Sequence, residues 1–109
     1  MKNYVIAALS GAALILSGQV MAADIEAGKT KAAEVCASCH GIDGNSPAPA
    51  FPKIGGQYRT YLEKVLKDYK SGTRNDPIMA GMAAGLTPAD IDNLAFSYSS
   101  QPGTLNSKK

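Results

Sequence analysis

The chain has 109 residues, with 11 Lys and Arg against 9 Asp and Glu and a formal net charge of +2, a near balance that offers no basic footprint for nucleic acid. That length suits one small domain, and with no Trp, two Phe and five Tyr the chain has little bulk for an apolar core of its own. Two cysteines and one histidine are one ligand short of a four-coordinate structural zinc site, unless a carboxylate or a second subunit completes it.

The first element in chain order is a leader. Lys2 gives a positive start, residues 4–16 form an almost unbroken apolar run with small residues, and Val20-Met21-Ala22 before Ala23-Asp24 reads as a small-residue cleavage site. Residues 1–22 are therefore expected to be a secretory signal peptide cut after Ala22, since the apolar stretch is short of the about 20 residues that span a bilayer. Residues 23–109 are expected to form a single exported domain, which loses Lys2 and so carries ten Lys and Arg against nine Asp and Glu.

Asp24 is placed to cap a first helix over about 25–37, with Ile25, Gly28, Ala32 and Val35 along one side. That helix runs into Cys36-Ala37-Ser38-Cys39-His40, which holds both cysteines and the only histidine. On one helical turn, thiols three residues apart share a face and can each add across a different haem vinyl group, while the next residue offers an imidazole to the iron. The pattern is that of covalent haem c attachment at Cys36 and Cys39 with His40 as axial ligand. A thioredoxin-like dithiol would sit beside a βαβ pattern, and no strand-like alternation of useful length occurs. An exported CxxC pair can also form a disulfide, and the adjacent histidine tilts the reading to haem.

Residues 41–52 are too rich in Gly and Pro for regular structure. Tyr58, Tyr61, Leu62, Val65, Leu66 and Tyr69 then recur at helical spacing, which predicts an amphipathic helix over 58–71, stopped at Gly72. The next segment supplies Met79 and Met82, the thioethers left for the sixth iron position once Met1 and Met21 leave with the leader. Thr87-Pro88-Ala89-Asp90 opens a last helix through Ile91, Leu94, Ala95 and Tyr98, ended by Pro102-Gly103 before a polar tail expected to fray. Arg74 suits a haem propionate by charge, whereas Arg59 reads as part of a solvated helix face. Gly55, Gly56 and Gln57 either let the backbone approach the cofactor closely or simply make a turn. A buried porphyrin would supply the bulk that the core lacks.

On Ala27-Gly28-Lys29, the Cys36 to His40 motif, Asp43-Gly44-Asn45-Ser46, Phe51-Pro52-Lys53-Ile54-Gly55-Gly56-Gln57, Tyr61-Leu62, Gly72-Thr73-Arg74 and residues 86–94, the chain resembles a class I cytochrome c. The likeness is to the small bacterial periplasmic monohaem type, equivalent to one half of the dihaem periplasmic cytochromes c. It implies an all-α fold of about four short helices wrapped around one haem. It also implies Met79 as sixth ligand in a loop before the last helix, and a Pro52 carbonyl that accepts from His40. The activity implied is a periplasmic one-electron carrier without substrate chemistry, free of a membrane anchor after cleavage, whose partners are redox proteins such as a terminal oxidase or a dehydrogenase. Two rivals remain: a cytochrome subunit of a sulfur- or alcohol-oxidising complex, and a haem enzyme or sensor with an open sixth site. One departure is Ser97, where the family has an aromatic residue against the glycine that Gly28 resembles; Tyr98 or Phe96 is expected to replace it. Ala48, Ala50 and residues 80–84 are expected around an exposed cofactor edge, with Lys53, Lys64, Lys67 and Lys70 further out.

Overall fold

The computed structural model describes residues 22–105, together with residues 2, 3, 5, 10 and 11. The leader read over 1–22 lies mostly outside the described residues, and the tail at 106–109 entirely so. The described residues form five helices and no strand: α1 (Ile25–Val35), α2 (Ala37–His40), α3 (Arg59–Ser71), α4 (Pro77–Ala84) and α5 (Pro88–Ser99). None of them is long and apolar enough to cross a membrane.

The starts of α1, α4 and α5 are fixed by side-chain caps. Asp24 caps α1, its carboxylate accepting from the Glu26 and Ala27 amides at 2.9 and 3.2 Å, and its own amide donates to Asn93 Oδ1 at 2.8 Å, which ties the start of α1 to α5. The helix predicted over 25–37 breaks at Cys36, whose φ of −109° departs from helical values. The hydrogen bonding nonetheless continues through the break: the Cys36 carbonyl accepts from the His40 amide at 3.0 Å, and α2 is a single turn. α3 ends at Gly72 in the left-handed conformation expected of a glycine stop.

Met79, expected in a loop, stands instead on α4. Asp76 caps that helix and Pro77 occupies its first turn, the arrangement in which a proline costs no hydrogen bond.

α5 opens on a reciprocal box: the Asp90 amide donates to Thr87 Oγ1 at 3.1 Å, and the Thr87 amide donates to Asp90 Oδ2 at 2.9 Å. The Thr87 amide, helped by Lys31, holds the Asp90 carboxyl below its usual range. A depressed carboxyl stabilises the fold above its unfolded value of about 3.9, and that contribution disappears as pH falls through the folded value. Asp90→Ala is therefore expected to cost about 1 kcal/mol at pH 7, and the gap from the parent protein to close below about pH 4 in denaturation measured against pH.

α1 and α5 pack closely because residue 28 has no side chain. A Cβ at Gly28 would lie 2.1 Å from the Asn93 carbonyl oxygen and 2.7 Å from Ser97 Cβ. Ser97 itself, 1 % exposed, takes the place of the family's aromatic residue. Neither Tyr98 nor Phe96 does so: Tyr98 turns to the cavity described below, and Phe96 stacks under Arg59 at 4.6 Å. Since the obstacle is backbone, Gly28→Ala is expected to force the helices apart at a cost of about 3 kcal/mol, checked by chemical denaturation.

Among the described residues the buried apolar ones are Ala32, Leu62, Ala83, Leu86, Ile91, Leu94, Ala95 and Tyr98. With three alanines among them and no Phe or Met, this is a thin core. The loop after α2 closes the other end of the domain. Gly44 and Gly55 approach so closely that a Cβ on Gly44 would meet the Gly55 amide at 2.4 Å. The Ile54 and Gly55 amides both donate to the Gly44 carbonyl, and the Gly56 amide donates to the carbonyl of Tyr98. These glycines dock one loop on another; the close approach is between backbones.

Candidate functional site

The apolar stripe of α3 only partly serves the core: Leu62 is buried in it and Leu66 and Tyr69 pack against it. Tyr61, Leu62, Val65, Leu66 and Tyr69 line a cavity of about 290 Å³, closed on the other side by Leu94, Ala95 and Tyr98 of α5. A second cavity of about 200 Å³ is lined by Val35, Ser38, Cys39, Ala50, Phe51, Asp76, Ile78 and Met82. Cys36, His40, Pro52, Tyr69 and Met79 line both, so the two are lobes of one slot with a thiol, an imidazole and a thioether along the seam.

The imidazole is oriented by the backbone. His40 is 8 % exposed, and its Nδ1 lies 2.8 Å from the Pro52 carbonyl oxygen. That oxygen can only accept, so the proton is on Nδ1 and the lone pair on Nε2. A hydrogen bond of this kind fixes the ring and raises the basicity of the opposite nitrogen. Pro52 can serve here because the contact uses its carbonyl and not the amide it lacks.

The two thiols are free and differ in setting. Cys36 lines both lobes and Cys39 only the smaller. Burial pushes the Cys36 thiol up to about 11, opposed by the Tyr98 hydroxyl. Burial likewise raises Tyr98, whose hydroxyl donates to the Gly41 carbonyl at 3.2 Å and so pins α5 to the end of α2. Among the described residues no three His, Cys, Asp or Glu side chains converge as a cation site.

Arg74 reaches the larger lobe, with its guanidinium 5.0 Å from the centre of the Tyr69 ring and Nη1 donating to the Tyr61 hydroxyl at 3.4 Å. Arg59 is engaged elsewhere, paired with Glu63 at 3.0 Å. Met79 is half-buried and shared by both lobes, whereas Met82 is 47 % exposed and touches only the smaller.

Two surface expectations are revised. Ala83 is fully buried in the core, and Lys53 lines the larger lobe. Tyr69, Tyr98 and Asp76 also line the site; the sequence marks the two tyrosines only as members of helix faces. The signal for Asp76 was present in Asp76-Pro77, a cap followed by a first-turn proline.

A slot with an apolar lining, two thiols, one oriented imidazole and one thioether suits a large flat apolar group attached through sulfur and ligated through nitrogen. Residues 25–96 match the family model described as Cytochrome c. The chain belongs to the cytochrome c family, whose members carry covalently attached haem c. It is 48 % identical over 80 residues to cytochrome c4 of Pseudomonas aeruginosa, covering 73 % of this chain and 39 % of that one. It is 45 % identical over 83 residues to cytochrome c-554(548) of Halomonas halodenitrificans, covering 73 % of this chain and 99 % of that one. The solved structure of reduced recombinant cytochrome c4 from Pseudomonas stutzeri superposes with a TM-score of 0.70 at 46 % identity, covering 76 % of this chain and 48 % of the other. The chain thus spans less than half the length of the cytochromes c4 and matches one half of them.

Proposed function

We propose that the chain is a periplasmic one-electron carrier, with Cys36 and Cys39 as the thioether attachments and His40 Nε2 and the Met79 sulfur as axial ligands. When bound, haem c supplies a single one-electron couple between ferric and ferrous iron. The observation that carries the reading is the 2.8 Å contact of His40 Nδ1 with the Pro52 carbonyl, which leaves Nε2 as the ligand nitrogen in a slot also lined by Met79 and both cysteines.

Each residue's part follows from its surroundings. His40, locked by Pro52, cannot swing away when the oxidation state changes. Met79 offers a thioether, which with histidine raises the potential relative to other ligand pairs. Arg74, stiffened against Tyr69 and Tyr61, is placed to pair with an anionic propionate. With His40 and Met79 both serving as ligands, no coordination position would be left open for a substrate, which supports electron carriage over substrate chemistry.

Partners are redox proteins that meet the cofactor edge. Phe51, Ile78 and Met82 line the smaller lobe, and Ile78 and Met82 are 61 % and 47 % exposed, an apolar rim suited to the small, short-lived contacts of electron transfer. Export to the periplasm rests on the leader read at residues 1–22. The visible spectrum of the purified protein tests the assignment. It is expected to show a haem c α band when reduced and a weak charge-transfer band at the red edge when ferric. A spectrum without the α band would contradict haem c, and a ferric spectrum without the red band would contradict the thioether ligand.

A further inference from the structure

α4 carries the proposed sixth ligand and is a helix poorly able to hold itself. Its eight residues fall below the about 12 at which an isolated helix is even marginal in water, and Gly81 sits inside it with Gly85 at its end. Its main packing is against α3. Burial gives it little grip, since Ala83 alone is buried while Ile78 and Met82 face solvent.

Two side chains hold its ends instead. Asp76 Oδ1 accepts from the Ile78 amide at 3.0 Å and from the amide of Met79 itself at 2.9 Å. At the other end Lys70, from the last turn of α3, donates to the Ala84 carbonyl at 3.1 Å and to the carbonyl of Leu86. Asp76 also lines the smaller lobe beside Met79.

We propose that Asp76 is the positioning residue for the sixth ligand: by holding the Met79 amide it fixes the backbone from which the thioether reaches the iron. The inference rests on the reading of Met79 as that ligand. An exogenous ligand must displace the thioether, so whatever secures Met79 counts against the competitor. Removing a helix cap is worth about fivefold in such a competition, the factor that corresponds to ~1 kcal/mol.

The test is cyanide titration of the ferric holoprotein, read by visible absorption, together with melting of the red-edge band against melting of helical circular dichroism. In Asp76→Ala, cyanide is expected to bind about fivefold more tightly, and the red band to melt before the helices do. Asp76→Asn, whose amide oxygen caps about as well, should stay within about twofold of the parent. Asp90→Ala removes a comparable cap on α5 and should lower global stability without changing cyanide affinity. If Asp76→Ala yields no holoprotein, Asp76→Glu, with its carboxylate one methylene further out, is expected to bind cyanide about twofold more tightly, and an unchanged affinity there overturns the proposal. Unchanged cyanide binding in Asp76→Ala, with Met79→Ala binding it more tightly, overturns the positioning role and leaves the ligand assignment standing. Equal tightening in Asp76→Ala and Asp90→Ala overturns it as well, because the effect would then be general destabilisation. A Met79→Ala protein that keeps the red band and the parent affinity overturns the ligand assignment, and the positioning role with it.

Discussion

Met79→Ala is expected to abolish the red-edge ferric band, open the iron to cyanide and carbon monoxide, and lower the potential by on the order of 0.1 V, part of the about 0.8 V range over which axial ligands move haem potentials. Met82→Ala, three residues on, is expected to change none of these appreciably. The difference comes from where the two sulfurs start. Met79 is half-buried at the seam of both lobes, and Met82 lies near the mouth of one with 47 % of its surface exposed. Absorption spectra and potentiometry of the two variants check this, and the reverse pattern would transfer the ligand to Met82.

The second large effect is at the attachment turn. His40→Ala is expected to yield no mature holoprotein, because the nitrogen that Pro52 orients and the first contact with the iron are lost together. Cys36→Ala and Cys39→Ala should each retain at most one thioether, with low yield. The pyridine haemochrome spectrum separates the cases, since a one-thioether haem keeps an unsaturated vinyl group and its α band shifts to the red. Normal two-bond haem c in either cysteine variant would refute the attachment. Because the core of the described residues is thin, the His40 variant is also expected to lose much of its helical circular dichroism.

Much of this was legible because its determinants are local. The caps Asp24 and Thr87, the Gly72 stop and the attachment turn are each written within five residues, and the stripe at Tyr61, Leu62, Val65, Leu66 and Tyr69 marks one face of α3. The stripe did not reveal what that face meets. An apolar helix face reads the same whether it packs on protein or lines a slot, and here it does both, with Leu62 in the core and the whole stripe along the slot.

α4 is hard to read in the sequence for a different reason. Its residues are apolar or small on every side, so no helical period marks it, and Gly81 and Gly85 suggest a loop. Only Asp76-Pro77 announces it. Ser97 was legible as a departure from the family pattern but not in its outcome. A small residue there still packs on Gly28, so Phe96 is left to stack with Arg59 and Tyr98 to reach the slot. The role of Lys70 is not legible in the sequence, because its carbonyl partners at Ala84 and Leu86 lie 14 and 16 residues away, at the end of α4 and just past it.

The most direct test of electron carriage through a His40 and Met79 centre is a spectroelectrochemical titration of the mature protein that follows the reduced α band and the ferric red-edge band together. The two bands are expected to trade reversibly along a single one-electron Nernst curve, identical in the reductive and oxidative directions. Failure to reoxidise, a curve that needs two components, or a red-edge band absent from the fully ferric protein would contradict it.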